Sequence, residues 1–217
     1  MAYEAFKRIN WGLIPYPQAL ERMRRLHAAR VQGKGRDMLI CCEHPHVLTL
    51  GRHAKPDNIL LNDKELAAKG LSVFNVERGG QVTYHGPGQA VVYLVVALLR
   101  RGLGVRRLVE GITQAVCDAA AEFGVKACGD PERPGAWVAG RKLAAIGLAV
   151  RQGVTMHGLA MNVSTNLNYF GYIKACGLDA VTTSLDRESG GHAPTMAQAH
   201  DALCAHLDRE LAQTSPA

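Results

Sequence analysis

No run of apolar residues in this chain approaches the roughly 20 needed to cross a bilayer as a helix. The N-terminus, Met1-Ala2-Tyr3-Glu4, lacks the pattern of a secretory signal. Low-complexity tracts, internal repeats and linker-like stretches are missing too. The six cysteines (Cys41, Cys42, Cys117, Cys128, Cys176 and Cys204) show no C-x-x-C spacing, which argues against a disulfide framework or a zinc ribbon. Aromatic residues make up only 6%, offering few platforms on which bases could stack. These absences point away from membrane and nucleic acid, and toward a soluble cytoplasmic protein.

What is present is ordinary globular material. The chain has 217 residues, 47% apolar and 20% charged, enough for one domain over residues 1–217 with no need of a second. The net charge is +6, with arginines grouped at Arg22, Arg24, Arg25 and at Arg100, Arg101, Arg106, Arg107. Such an excess favours an acidic partner. Pro17 to Arg30 has the period of an amphipathic helix with its arginines outward, and Met38 to Cys42 reads as a short buried strand. Cys41 and Cys42 then fall in the core, and Cys117 inside a helix from Val105 to Phe123 that Gly124 can cap. Asp63 to Gly70 is a short helix, Val73 to Val76 a strand, and Gln89 to Leu98 a strand buried on both faces. Ala136–Val138 and Lys142–Val150 form a strand pair turning at Ala139-Gly140-Arg141. Val154 to Val163 adds another strand, and Thr195 to Leu211 closes the chain as a helix. His44, His46 and His53 lie close together. However, no cysteine or carboxylate follows at ligand spacing, so a turn into a strand is expected there and no metal site.

The densest signal is Arg78-Gly79-Gly80-Gln81-Val82-Thr83-Tyr84-His85-Gly86-Pro87-Gly88-Gln89. Four glycines and a proline are costly in a helix or strand. The stretch fits neither G-x-G-x-x-G nor G-x-x-x-x-G-K-S/T, so dinucleotide and P-loop readings fail. It reads as a loop that lets a ligand approach the backbone, with positive φ at Gly79-Gly80 and polar contacts from Arg78, Gln81, Thr83, Tyr84 and His85. A tight hairpin with incidental polar residues fits the same letters. Ala144, Ala145, Gly147, Gly158 and Ala160 are small. They suit a narrow apolar slot above a sheet, or else close strand packing. Cys176, followed by glycine in an apparent loop, stands apart from the cysteines in periodic segments.

Together Glu43–Gly51 (EHPHVLTLG), Arg78–Gln89, Gly140–Val150 (GRKLAAIGLAV), His157–Val163 (HGLAMNV), Ala175–Leu178 (ACGL) and the later VTTSL resemble the octanoyltransferase of lipoate biosynthesis. The resemblance runs in order from Glu43 to Leu185. It implies an α/β (α+β) enzyme, a mixed sheet packed with helices, similar to the catalytic domain of biotin and lipoate protein ligases. The implied activity is an acyltransferase that moves octanoyl (or lipoyl) from acyl carrier protein to a lysine of a lipoyl domain. Acceptors would be the lipoyl domains of 2-oxoacid dehydrogenase complexes and the glycine cleavage H protein. No cofactor is implied. By the same matching, Cys176 is the acyl-carrying nucleophile and Lys142 its partner. The substrate-binding segments are Arg78, Gly79, Gly80, Gln81, Val82, Thr83, Tyr84 and His85, then Ala145, Ile146, Gly147, and Gly158, Leu159, Ala160. Ala175 departs from the family, which commonly has proline before the cysteine.

The chemistry agrees. Moving an acyl group from thioester to amine suits a cysteine relay, because the first transfer exchanges one thioester for another. An ammonium beside the thiol favours the reactive thiolate. Lys142 could afterwards help deprotonate the incoming amine, with backbone N–H groups near Gly158 and Cys176 facing the oxyanion. Two rivals remain: an ATP-dependent lipoate or biotin ligase, which needs no Cys176, and a non-catalytic lipoyl- or octanoyl-binding protein.

Overall fold

The structure is a computed structural model that describes residues 4–174 and 181–212. It opens with an edge strand, β1 (Lys7–Leu13), and helix α1 (Tyr16–Val31), followed by β2 (Met38–Glu43) and β3 (Val47–Leu50). A 3₁₀ turn, Pro56–Asn58, leads to the short helix α2 (Asp63–Ala68), then β4 (Ser72–Asn75), β5 (Val82–His85) and β6 (Gln89–Val95). Helix α3 (Val105–Glu122) precedes β7 (Cys128–Gly129), β8 (Gly135–Val138), β9 (Arg141–Arg151) and β10 (Val154–Asn162). A 3₁₀ turn (Leu167–Tyr172), a one-turn helix α4 (Leu185–Glu188) and the closing helix α5 (Met196–Ala212) complete it.

Seven strands form one mixed sheet in the order β1-β2-β6-β10-β9-β8-β7, with only the β1–β2 pair parallel. Strand β6 sits centrally, and all seven of its residues are buried, as its unbroken apolar run requires. Its alternate side chains enter two cores. Val92 and Leu94 face α3 and α5, among Leu108, Ile112, Leu203 and Leu207. Val91, Tyr93 and Val95 face α1, among Ala19, Leu20 and Met23. A second sheet, β4-β3-β5, has its own core of Leu48, Val82 and Tyr84 against the 3₁₀ turn carrying Tyr169 and Phe170. An α/β fold of mixed sheets and helices was expected, and it is found.

Three local readings change. Val82–His85, read as part of a loop, is strand β5, paired antiparallel with β3 through Val47↔His85 and Thr49↔Thr83. The strand β1 was not anticipated, since five of its seven residues are exposed and no apolar alternation marks it. Arginine orientation is the third. Arg30, expected on the outward face of its helix, and Arg101, from the second arginine group, are buried on Asp37, with Arg30 Nε donating to Asp37 Oδ1 at 2.7 Å and Arg101 Nε donating to Oδ2. The Ala97 N–H donates to the same carboxylate at 2.9 Å. Burial works against that charge. The backbone N–H and the two guanidiniums outweigh it and hold Asp37 below the usual carboxylate range.

Candidate active site

Lys142 lies near the start of β9, paired across to Trp137 of β8. Its Nζ stands 5.0 Å from the centroid of the Trp137 ring, and the Arg133 guanidinium stacks 4.3 Å from the same ring. The pairing of β10 with β9 ends at Met161↔Ala144. Beyond that point, the other edge of Lys142 is taken by the chain at 181–183. Lys142 N donates to Val181 O at 2.8 Å, Thr183 N donates to Lys142 O at 2.9 Å, and Thr182 forms a parallel bridge. Cys176, the expected nucleophile, lies outside the described residues.

Thr183 is anchored from two further directions. Asn162 Nδ2 donates to Thr183 O at 2.9 Å. The Thr183 hydroxyl donates to Glu188 Oε1, and Glu188 also takes two hydrogen bonds from Arg141, at 2.9 and 2.8 Å. Those bonds from Arg141 lower the Glu188 pKa against the opposing effect of burial.

From Asn162 a line of hydrogen bonds runs to the glycine-rich stretch. Gln89 Nε2 donates to Asn162 Oδ1 at 2.9 Å and to Tyr84 O at 3.3 Å, and His85 Nδ1 meets Gln89 Oε1 at 2.7 Å. Backbone carbonyls accept at both ends, on Thr183 and Tyr84, so both amides have one orientation and His85 Nδ1 must carry a proton. Burial, with His44 and Arg78 nearby, pulls the His85 pKa down to about 3 despite the bond to Gln89. The ring is therefore neutral at pH 7, with its lone pair on Nε2. It stacks on Tyr16 and meets His44 edge-on. His44 is also neutral, because burial pulls it down to about 4 against the raising effect of Ile14 O, to which its Nδ1 donates at 2.8 Å.

The three expected binding segments converge only in part. Arg78 is buried beneath β3. Its Nε and Nη2 donate to Thr49 Oγ1 at 3.2 and 2.8 Å, and Nη1 to Gly79 O at 2.9 Å. Gly79 N donates to Leu148 O at 2.9 Å, and of the two glycines expected at positive φ only Gly80 takes it, at +80°. This lays the loop across Gly147, where an added Cβ would stand 3.0 Å from Arg78 Cδ. Gly147 pairs with Gly158, Ile146 with Leu159 and Ala145 with Ala160, so the latter two segments are neighbours in the sheet. Val82 and Tyr84 turn instead into the small-sheet core, where Tyr84 stacks on Tyr169 and its hydroxyl hydrogen-bonds His46 Nδ1 at 2.8 Å. Thr83 and His85 alternate to the opposite face. Leu159 points toward the α3–α5 core. Ile146 packs against that same core.

Gly158 does not open a slot. A Cβ there would lie 2.1 Å from Val92 O, so its smallness serves close approach of β10 to β6. Just before it His157 takes φ +62°, which carries its ring to the face of Tyr93 and Glu77, where strict alternation would have sent it toward the α3–α5 core. An open cleft of about 580 Å³ is lined by Arg24, His27, Glu77, Arg151, Gln152 and Met156. It sits at the far end of β9, roughly 30 Å from Lys142 at about 3.3 Å per strand residue, and all of its lining residues but Met156 are polar or charged.

The arginine clusters are largely engaged. Arg24 pairs with Glu77, Arg25 with Glu21, Arg106 with Glu110 and Arg107 with Glu210. Among the described residues no group of three or more His, Cys, Asp or Glu is placed to hold a metal ion. None of the described helices is long and apolar enough to cross a membrane.

The family model of the lipoyl protein ligase A/B catalytic domain matches residues 15–208. An octanoyltransferase from Bacteroides fragilis is 42% identical over 213 residues, 93% of this chain and 94% of that relative. The chain belongs to this family. Its fold is shared more widely. A lipoate protein ligase from Thermoplasma acidophilum superposes with TM-score 0.71 at 13% identity, over 96% of this chain and 84% of that one. A biotin protein ligase from Aquifex aeolicus does so with TM-score 0.58 at 9% identity, over 96% and 71%.

Sequence reasoning had not singled out Gln89 or Asn162 as site residues. A signal was available, since each is a carboxamide at the end of a largely apolar strand, where burial demands a partner.

Proposed function

We propose that the chain is an octanoyltransferase working through a thioester on Cys176. The acyl donor is octanoyl-acyl carrier protein, and the acceptor is a lysine of a lipoyl domain, including that of the glycine cleavage H protein. In this reading the reaction takes place in the cytoplasm. The observation that carries the reading is the fixed backbone of Lys142 against residues 181–183, five to seven positions after Cys176 in the chain.

In the first step the Cys176 thiolate attacks the donor's thioester carbonyl, the carbon–sulfur bond to the carrier breaks, and the carrier thiolate leaves to take up a proton. In the second, the neutral lysine amine of the acceptor attacks the new thioester. An amide forms, the Cys176 sulfur departs as thiolate, and the amine proton is lost to a base. Lys142 serves both steps. Its ammonium favours the sulfur anion, and its neutral amine can accept a proton, which guanidinium could not. Ala145, Gly147 and Ala160 lie further along the β9–β10 pair, and the Arg78–Gly80 loop crosses it at Gly147 and Leu148.

Intact mass of the purified protein after incubation with octanoyl-carrier protein tests this. One octanoyl group on the peptide containing Cys176, and transfer to a lipoyl domain without ATP, are expected. An adduct on another cysteine alone, or none, would defeat the acyl-enzyme reading. A strict ATP requirement would move the chain to the ligase chemistry of its structural neighbours.

A further inference from the structure

One buried side chain, Asn162, hydrogen-bonds the carbonyl of Thr183, whose own N–H donates to Lys142 O. We propose that Asn162 is a positioning residue for Lys142, acting through the carbonyl of Thr183. This rests on the reading of Lys142 as the partner of the reactive thiol.

Near its start, from Arg141 to Ala145, strand β9 is held on one edge by β8, but on the other edge β10 stops pairing at Met161↔Ala144. Lys142 therefore depends on the 181–183 segment for its second edge. That segment is a single bridge, and a lone bridge has little register of its own. Asn162 follows the last paired residue and spans the gap, its Nδ2 donating to Thr183 O at 2.9 Å. Its Oδ1 accepts from Gln89 Nε2, and Gln89 in turn receives the His85 Nδ1–H. Asn162 is 4% exposed, Gln89 2% and Thr183 0%, so no water competes for these bonds. Each group is satisfied in one orientation only. Reversing the Asn162 amide would set Oδ1 against Thr183 O and Nδ2 against Gln89 Nε2, two clashes of like groups. The amide thus works as a keyed joint between the glycine-rich hairpin and the backbone of Lys142.

Asn162→Ala and Asn162→Asp remove the joint in different ways. Alanine loses both bonds. Aspartate keeps the shape and the acceptor toward Gln89 but faces Thr183 O with a second acceptor. Both are expected to lower kcat for octanoyl transfer by about 10- to 100-fold, as small misplacements of a reacting group do. KM for octanoyl-carrier protein should stay within about threefold. Gln89→Leu keeps the bond to Thr183 and should lose less. The pH midpoint for iodoacetamide alkylation of Cys176 should move up in the Asn162 variants, and moving it again by adding Lys142→Ala should have little further effect. A purely structural role would lower the melting temperature and leave that midpoint in place. If Asn162→Ala does not fold, the isosteric Asn162→Asp makes the same measurement. Wild-type kcat and pH midpoint in either folded variant would overturn the inference while Lys142→Ala remained inactive. Full transfer by Lys142→Ala would sink the reading of Lys142 itself.

Discussion

His157 lies in the left-handed region at φ +62°, and its Nε2 stands 3.7 Å from Glu77 Oε2. That is too long for a hydrogen bond. Burial depresses the His157 pKa against the pull of Glu77, so the ring is neutral at pH 7. Arg24, at 3.1 and 3.2 Å, completes the surroundings of the carboxylate. The imidazole beside it, and then the two bonds from Arg24, keep Glu77 ionised well below the usual range against the effect of burial. Histidine tolerates positive φ better than most residues, and β-branched residues tolerate it worst.

From this geometry His157→Val should be less stable than His157→Asn by about 1–2 kcal/mol, the cost of left-handed backbone for a bulky L-residue. Both variants lose the ring, so the difference isolates the backbone. Urea midpoints at pH 7 provide the comparison, and equal midpoints would mean that the chain relaxes at 157.

Glycines in the expected binding segments should separate sharply by position. Gly158→Ala puts a methyl 2.1 Å from Val92 O, an atom of the central strand that cannot retreat. It should cost several kcal/mol, in the range of strong overpacking, and yield little folded protein. Gly79→Ala meets only Leu148 O, at 3.5 Å, and should fold normally. Gly147→Ala falls between them, pressing on Arg78 Cδ at 3.0 Å. It should fold with a modest loss in melting temperature and a larger loss in transfer. Equal expression and melting for all three would refute the close-approach account.

Much of the fold was legible in the letters. Strand β6 announces itself by an unbroken apolar run, and α3 by Leu108, Ile112, Val116 and Ala119 at helical spacing. The turn at Ala139-Gly140 and the end of α3 before Gly124 also followed from local chemistry. Strand β5 did not, because Val82-Thr-Tyr-His85 alternates for only four residues and glycines on either side mask it. Nor did the burial of Arg30 and Arg101. A guanidinium goes inside only when a carboxylate waits there, and Asp37 is 64 residues from Arg101. The role of Asn162 was equally hidden. It depends on where β10 stops pairing, which is a property of the assembled sheet.

Asp37→Asn should destabilise the protein by about 3–5 kcal/mol at pH 7, because two buried guanidiniums would lose their shared counter-charge. The pH dependence has a definite sign. Asp37 titrates lower in the folded chain than in the unfolded one, so its contribution is fully present above the unfolded value, about 3.9. It fades as pH falls through the lower folded value. The gap in urea midpoint between wild type and variant should therefore be constant from pH 7 to about 5 and narrow toward pH 3. A gap that stayed constant down to pH 3 would show that the charge on Asp37 is not what stabilises the site.

The last prediction concerns Lys142 itself. Its ammonium sits by the Trp137 ring, a contact that favours the charged form, and its backbone is fixed on both edges. A free cysteine titrates near 8.5, so only a few per cent is thiolate at neutral pH. If Lys142 supports the Cys176 thiolate, iodoacetamide at pH 7 should alkylate Cys176 ahead of the buried Cys41, Cys42, Cys117 and Cys204. Exposed Cys128 provides the unassisted reference rate. In Lys142→Ala the alkylation of Cys176 should slow toward that of Cys128, its pH midpoint should rise, and octanoyl transfer should drop by at least about a hundredfold. Lys142→Arg separates the two roles. Guanidinium keeps the positive charge, so alkylation should remain fast, but it cannot give up a proton near neutral pH and transfer should stay low. Fast transfer in Lys142→Arg would show that only the charge matters. Unchanged alkylation and transfer in Lys142→Ala would leave the cation without a part in the reaction, and His85, neutral with its lone pair on Nε2, would be the next base to replace.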